Sequence, residues 1–473
     1  MLRLSTGSSE KRAPSIVAEI RDLMTRGDSA AVAQRAAAVA LAIRVSSAAL
    51  AYVAQVVLAR LMGQFEYGVF AYTWVWLLVF ACLSALGFSD SPIRFIAQLR
   101  ERGEIDHLRG FMRFGCAVVI VATVAAGGLV IAALPSVSPW IGAHYALPLA
   151  LMALSIPFAG LQAFLEAVGR SYGWTVPALL PVYILRHGLL LAFMIGAVAL
   201  GFPASAVVGF VCVVLTLVVS LVYQMAAILV RMRTELGPGP RAYRPAEWMR
   251  GSAPFCVLYG SAYLSSFADV LVLSFFVSPA EIAIYFAATR IIQVVLIVPY
   301  AVMVGTAHLF SASHTRGDHD ELQRLCRHAS KMTFLVSGIA IGLVLATGDW
   351  LLGMFGEGFS AGYVPLGILA CGVVVRVVAG PAEDLLNMTG YGSVSAYTSV
   401  ASVVIGIPLT IALVMPFGIV GAAVGSAITL AGRAVWLSVL ARRRLDIDTT
   451  IFAARRAGGR LVGRPVEMPA PAE

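Results

Sequence analysis

Lysine is nearly absent from this chain: it stands only at Lys11 and Lys331, and arginine carries almost all of the positive charge. That bias reads as genomic base composition. Charge of either sign is scarce too, at 12% of 473 residues, roughly half the share in soluble globular domains. This excludes a string of soluble domains. The segments lack the strict period-two alternation of barrel strands, so a transmembrane barrel is excluded as well. Cysteines number six (Cys82, Cys116, Cys212, Cys256, Cys326, Cys371), without paired or metal-like spacing. They read as small buried apolar residues, and no metal or cofactor is expected. No glycine-rich phosphate loop ending in lysine occurs, so ATP is not expected to drive the protein directly. No cleavable leader is expected either, because the first long apolar run is too long and lacks a small-residue cleavage site.

What is present is apolar: 59% of residues, in runs of twenty or more along the whole chain. Backbone groups in lipid must be satisfied within each segment, so these runs read as transmembrane helices. Twelve are expected, at 36–62, 66–89, 111–134, 145–168, 175–200, 205–230, 252–277, 281–310, 329–348, 363–388, 393–415 and 417–440. Arginine sets their direction. Arg94, Arg100, Arg102, Arg109 and Arg113 follow the second span, and Arg231, Arg233, Arg241, Arg244 and Arg250 follow the sixth. Arg316, Arg324, Arg327 and Lys331 follow the eighth, and Arg442, Arg443 and Arg444 the twelfth. The alternate loops, around 135–144, 201–204, 278–280, 349–362 and 416, hold no Lys or Arg. By the positive-inside rule both termini are expected in the cytoplasm. The net charge of +9 is therefore a topology signal, and no nucleic-acid partner is expected.

Composition divides the chain further. Residues 1–35 are polar and basic, with Ile16, Ile20, Leu23 and Met24 on one face of a weak amphipathic helix suited to a membrane surface. The Pro-, Gly- and Arg-rich stretch 231–251 separates two six-span halves, 36–230 and 252–440, and 441–473 reads as a cytoplasmic, disordered tail. The halves resemble each other. At a constant offset Pro148 falls on Pro365, Leu149 on Leu366 and Glu166 on Glu383, while EYGVFAYT at Glu66 echoes EIAIYFAAT at Glu281. An even number of spans per half makes the repeat parallel.

The informative residues are the charges inside spans, since each costs ~2.5–3.5 kcal/mol at the centre of an inserting helix and should face protein or water. Asp269 lies ten residues before Pro279 and Arg290 eleven after it, so both sit about 15 Å from the turn of one hairpin. Equal depth suits a structural ion pair as well as a functional site. Arg44 shares a face with Ser47 and Gln55 of the first span, with snorkelling to the interface as the alternative. Arg186, beside His187, is near the middle of the fifth span and Arg376 near the middle of the tenth. His187 reads as a hydrogen-bonded core histidine, and Arg433 as snorkelling. Arg376, Gly380, Glu383 and Asn387 form a stripe at helical spacing that suits a coupling proton or Na+, or plain inter-helix packing. Pro381 interrupts the helix beside it; Pro157, Pro177, Pro181, Pro254 and Pro299 mark further bends. Four arginines (Arg44, Arg186, Arg290, Arg376) face one carboxylate, Asp269, near the midplane, with Glu166 and Glu383 deeper. Water, backbone carbonyls or an anionic cargo must complete that excess, and guanidinium forks suit the phosphate oxygens of a pyrophosphate-bearing lipid.

Four stretches carry a family resemblance: VVLARLMGQFEYGVFAYTWVW, ADVLVLSFFVSPAEIAIYFAATRI, GDWLLGMFGEGFSAGYVPLGILACG and MPFGIVGAAVGSAI. Over residues 36–440 the chain resembles the polysaccharide-transporter branch of the multidrug/oligosaccharidyl-lipid/polysaccharide exporter superfamily. The resemblance implies an all-α membrane protein of twelve helices in two V-arranged six-helix bundles that alternate access to a central cavity. It implies a flippase, not an enzyme, that carries an undecaprenyl-pyrophosphate-type glycolipid across the bacterial inner membrane, with polysaccharide polymerase and glycosyltransferases as partners. It also implies cavity arginines on the first and eighth spans, where Arg44 and Arg290 stand. Two alternatives stay open: a cation-coupled exporter of small amphiphilic molecules, which the arginine excess disfavours, and a glycan polymerase or ligase, which the short outer loops disfavour.

Overall fold

The computed structural model describes residues 29–453, so the surface helix expected over 15–24 and the end of the tail lie outside the described residues. Those residues form helices and no strand. In chain order they are α1 (Ser29–Ser84), α2 (Ser91–Glu101), α3 (Ile105–Ile141), α4 (Ala146–Ser171), α5 (Thr175–Leu180), α6 (Arg186–Ala199), α7 (Ala206–Leu236), α8 (Pro245–Leu273), α9 (Pro279–Val295), α10 (Ile297–Thr315), α11 (His319–Gly353), α12 (Tyr363–Ala379), α13 (Ala382–Met388) and α14 (Gly392–Leu445). Ten of the described segments are long and apolar enough to cross a membrane. Two of these, within α1 and α14, turn at a glycine outside helical geometry, Gly63 (φ 73°, ψ 172°) and Gly418 (φ 53°, ψ −130°). Each therefore supplies two crossings, which restores the expected twelve. A side chain resists such angles and glycine does not.

Proline shapes three further spans. The fifth runs as α5, a π-helical turn at Pro181–Leu185, then α6. The eighth breaks at Leu296, three residues before Pro299. The tenth breaks at Gly380 and Pro381 between α12 and α13. Pro157 and Pro254 instead lie within continuous helices. The repeat is visible in three dimensions: a short 3₁₀ turn precedes both α4 and α12, and Pro148 and Pro365 each lie at the third position of their helix. Past that point the halves diverge, because Glu166 sits in an unbroken helix and Glu383 beyond a break.

Packing arranges the halves as a V. At the arginine-poor end one continuous core joins them, with Tyr67, Phe70 and Phe210 of the first half against Phe286, Phe355 and Phe359 of the second. At the arginine-rich end the cores separate, one around Phe88, Phe111, Phe164 and Trp248, the other around Phe310, Leu322, Leu385 and Leu445. Polar bonds close the joined end. Tyr52 Oη donates to the Leu351 carbonyl at 3.2 Å, Arg60 Nε to that of Met354, and Gln64 Nε2 to that of Glu357 at 2.9 Å. The first two carbonyls lie at the C-terminal end of α11, where helix geometry leaves acceptors free, and the third in the loop that follows.

Two expectations at the arginine-rich end need correction. Helices extend into the stretch between the halves from both sides, leaving only 237–244 irregular. In the tail, residues 446–453 are irregular, as expected, but docked and not free. Thr449 Oγ1 donates to the Ala379 carbonyl (2.7 Å), Ser330 Oγ donates to the Thr449 carbonyl (2.7 Å), and the Ile451 amide donates to the Val378 carbonyl (3.2 Å). Gln323 and Asp448 bond reciprocally at 2.8 and 2.9 Å. The break at Gly380 and Pro381 strips α12 of its next helical turn, and the tail supplies the missing donors.

Candidate functional site

Three of the four expected arginines converge between the halves. The Arg44 guanidinium lies over the Tyr183 ring of the fifth span (4.4 Å) and the Tyr300 ring of the eighth (5.0 Å). That aromatic clasp holds it within the protein, and the snorkelling alternative is set aside. Tyr183 Oη reaches Glu166 Oε1 at 3.5 Å, and the Tyr183 carbonyl meets His187 Nδ1 at 2.9 Å, so His187 is a bonded core histidine. Arg186 Nη2 donates to Gln162 Oε1, whose amide nitrogen donates to Ser220 at 2.9 Å. Arg290 donates to Gln293 (2.9 Å) and lies 4.0 Å over the Phe286 ring. Its field reaches His187, as does that of Arg186, while Glu166 feels Arg44, Arg170 and Arg186. Gln55, buried on the same face of α1, accepts from Tyr67 Oη (2.9 Å), and Tyr67 lies within the field of Arg290.

Charge in this cluster does not balance. Glu166 lies in the fields of Arg44, Arg186 and Arg170, the last at 3.9 Å, whereas the carboxylate whose field reaches Arg290 is Asp269. The Nε atoms of Arg186 and Arg290 are buried without a protein partner. An unpaired buried donor on a charged group costs upwards of ~1–3 kcal/mol, which an anion placed here would recover.

Asp269 and Arg290 do not pair. Asp269 accepts from Tyr285 Oη, from Ser426 Oγ at 2.8 Å and from the Val270 amide at 2.8 Å, all in the second half. Equal depth placed the two groups level, but their helices turn them apart, Asp269 toward α14 and Arg290 toward the first half. No ion pair between them occurs among the described residues, although each lies within the other's field.

Arg376 belongs elsewhere. With Asp269, Glu383, Arg433, Gln293 and Thr410 it lines a cavity of about 260 Å³ inside the second half. Glu383 pairs with Arg433, which also donates to Ser399 (2.9 Å); Arg433 therefore faces inward and does not snorkel. Two arginines face two carboxylates here, so this cavity is near neutral. The helical stripe through Arg376, Gly380, Glu383 and Asn387 is broken at Gly380. Arg376 and Glu383 still meet one cavity, whereas Asn387 is exposed outside it. Sequence reasoning missed Gln162, Tyr183, Tyr300, Tyr285 and Ser426. Gln162 was legible, one turn before Glu166 on the same face; the others act through contacts between spans.

A polytopic helical V with a buried cationic centre defines a class: a membrane transporter, not an enzyme. The chain belongs to the family described as "Polysaccharide biosynthesis protein", which matches residues 34–310, and the MatE family matches residues 254–412. Both place it in the multidrug/oligosaccharidyl-lipid/polysaccharide exporter superfamily. Three solved structures share the fold. An inward-facing multidrug resistance MATE family transporter aligns with TM-score 0.67 and 15% identity, covering 87% of this chain and 98% of its own. The lipid II flippase MurJ, in an inward closed conformation, gives TM-score 0.66, 14% identity, and 84% and 86% coverage. A superfamily transporter from Pyrococcus furiosus, titled for the reverse polarity of its binding pocket, gives 0.62, 14%, and 90% and 97%. No curated protein sequence matches the chain.

Proposed function

We propose that this protein is a flippase that carries a lipid-pyrophosphate-linked oligosaccharide across the bacterial inner membrane by alternating access, with both termini in the cytoplasm. One observation carries the reading: Arg44, Arg186 and Arg290 meet between the halves as a cationic surplus, and the Nε atoms of Arg186 and Arg290 are buried without a protein partner. A pyrophosphate matches that surplus with several charge-assisted bonds, the headgroup entering between the halves from the arginine-rich side while the polyprenyl tail stays in lipid. Undecaprenyl pyrophosphate is the carrier that suits a bacterial polysaccharide repeat unit such as O-antigen or exopolysaccharide. Glycosyltransferases upstream and a polymerase downstream are the corresponding partners. H+ or Na+ is the coupling ion we assign to the near-neutral second cavity, at Asp269 or Glu383.

The MatE match over residues 254–412 favours a second reading, a cation-coupled exporter of small amphiphiles through the same fold. One experiment separates the two. Arg44→Ala, Arg186→Ala and Arg290→Ala are each expected to lower glycan export at least tenfold with membrane levels unchanged, and Arg376→Ala to leave it within twofold (about 1.4 kcal/mol per tenfold). Full export by all three variants, with lost efflux of a cationic dye, overturns the flippase reading in favour of the exporter.

A further inference from the structure

A second basic site lies on the outer surface of the first half, away from the central cluster. Between the arginine-rich ends of α3 and α7 runs a groove of about 590 Å³. Its walls are apolar, with Ile120, Leu161, Phe164, Met225, Ile228 and Leu229 among them, and Ile120 and Leu229 are 40% and 48% exposed. Its mouth is ringed by Arg109, Arg113, Arg233 and Arg241.

The mouth is built, not incidental. Arg109 is committed to structure: Nη1 donates to Asp106 (2.7 Å), Nη2 to the Leu236 carbonyl and Nε to the Gly237 carbonyl (3.3 Å). The Ala242 amide donates to the Asp106 carbonyl at 3.0 Å. A β-carbon at Gly239 would stand 2.4 Å from Arg109 Nη1, and one at Gly110 would stand 1.9 Å from the Ala242 carbonyl oxygen. Two glycines thus let the connecting stretch lie flat on α3, which brings Arg241 beside Arg113 and Arg233. These three guanidiniums make no ion pair or side-chain hydrogen bond among the described residues. Of the nearby carboxylates, Asp106 is engaged with Arg109 and Glu104 with Arg244 and His107, while the field of Glu235 falls on Tyr172 at the end of α4.

We propose that this groove binds an anionic phospholipid of the leaflet at the arginine-rich face. Its phosphate sits among Arg113, Arg233 and Arg241, and one acyl chain lies along α3 and α7. Dimensions agree with charge. From Arg109 to Ile120 the helix rises about 16 Å, one leaflet's share of a ~30 Å hydrocarbon core. Basic pockets between helices at this level suit acidic headgroups, and each arginine near an anionic surface is worth about fivefold in affinity.

The test is native mass spectrometry of the full chain with phosphatidylglycerol, phosphatidylcholine of the same acyl chains, or inorganic phosphate. The tightest-bound lipid is expected to be phosphatidylglycerol, and the triple variant R113A/R233A/R241A to weaken it on the order of 100-fold, toward the phosphatidylcholine level. Ala117→Trp, which fills the groove without touching its charges, is expected to weaken both lipids. Equal retention of the two lipids by the native protein, unchanged phosphatidylglycerol binding in the triple variant, or displacement by inorganic phosphate alone overturns the proposal. Should the triple variant fail to fold, unchanged binding by Ala117→Trp does so on its own.

Discussion

Gly380→Ala tests how the tail and the broken tenth span support each other. Gly380 has φ +79°, and a β-carbon there would stand 1.8 Å from the Thr449 carbonyl oxygen and 2.7 Å from Ser330 Oγ. At φ +79° and ψ −170° the backbone lies in a region essentially reserved for glycine, which costs alanine about 1–3 kcal/mol. Relieving the clash means lifting Thr449, which breaks its bond to the Ala379 carbonyl and the bond from Ser330. Those two bonds are worth about 1–3 kcal/mol together. The expected loss is thus about 2–6 kcal/mol. Gly390 supplies the control: its φ is +89°, yet a β-carbon there would meet nothing within 4 Å. Gly390→Ala should therefore show the backbone penalty alone. Thermal unfolding of both variants in detergent measures the difference, and a thiol probe on Thr449→Cys reports whether the tail has lifted. If the two alanines melt together and Thr449→Cys stays protected in the Gly380→Ala background, the packing argument is wrong.

Three further outcomes follow from the contacts. Asp269→Ala leaves the Tyr285 and Ser426 hydroxyls without their acceptor and should cost about 2–4 kcal/mol; because Asp269 and Arg290 feel each other's field but make no contact pair, the double variant with Arg290→Ala should fall short of the sum of the singles by only about 0.5–1 kcal/mol, and a double milder than either single would restore the ion pair. Glu383 and Arg433 are in contact, so Glu383→Ala should destabilise by about 1–3 kcal/mol and Glu383→Ala/Arg433→Ala by less, read as melting temperatures. A β-carbon at Gly68 would stand 1.7 Å from the Pro279 carbonyl oxygen, so Gly68→Ala should wedge the joined end of the V open, at about 1–3 kcal/mol; increased labelling of a cavity cysteine from the arginine-poor side measures it, and unchanged labelling with unchanged melting refutes it.

Much of this molecule was legible without coordinates. Apolar runs separated by arginine-rich and arginine-free loops encode helix number, because lipid permits few ways to satisfy a backbone and each crossing must begin and end in water. Breaks at Pro381 and around Pro181 followed from a missing amide, and Gly63 and Gly418 fell at expected span boundaries. Intramembrane arginines announced a site because burying a charge is expensive wherever the fold puts it.

Which arginines meet was decided only by tertiary structure. Depth along a helix comes from counting residues, but the direction a side chain faces depends on crossing angles and breaks that counting cannot supply. Asp269 and Arg290 are level and turn to opposite neighbours; Arg376 and Arg433, placed apart by sequence, line one cavity with Glu383. The residues that finish the cationic centre, Tyr183 and Tyr300, come from spans more than a hundred residues apart, so no local pattern joins them to Arg44. Sequence determined how many charges the membrane must accommodate. Packing decided that Arg44 and Arg186 share Glu166, while the oxygens of Asp269, level with Arg290, are taken by Tyr285 and Ser426.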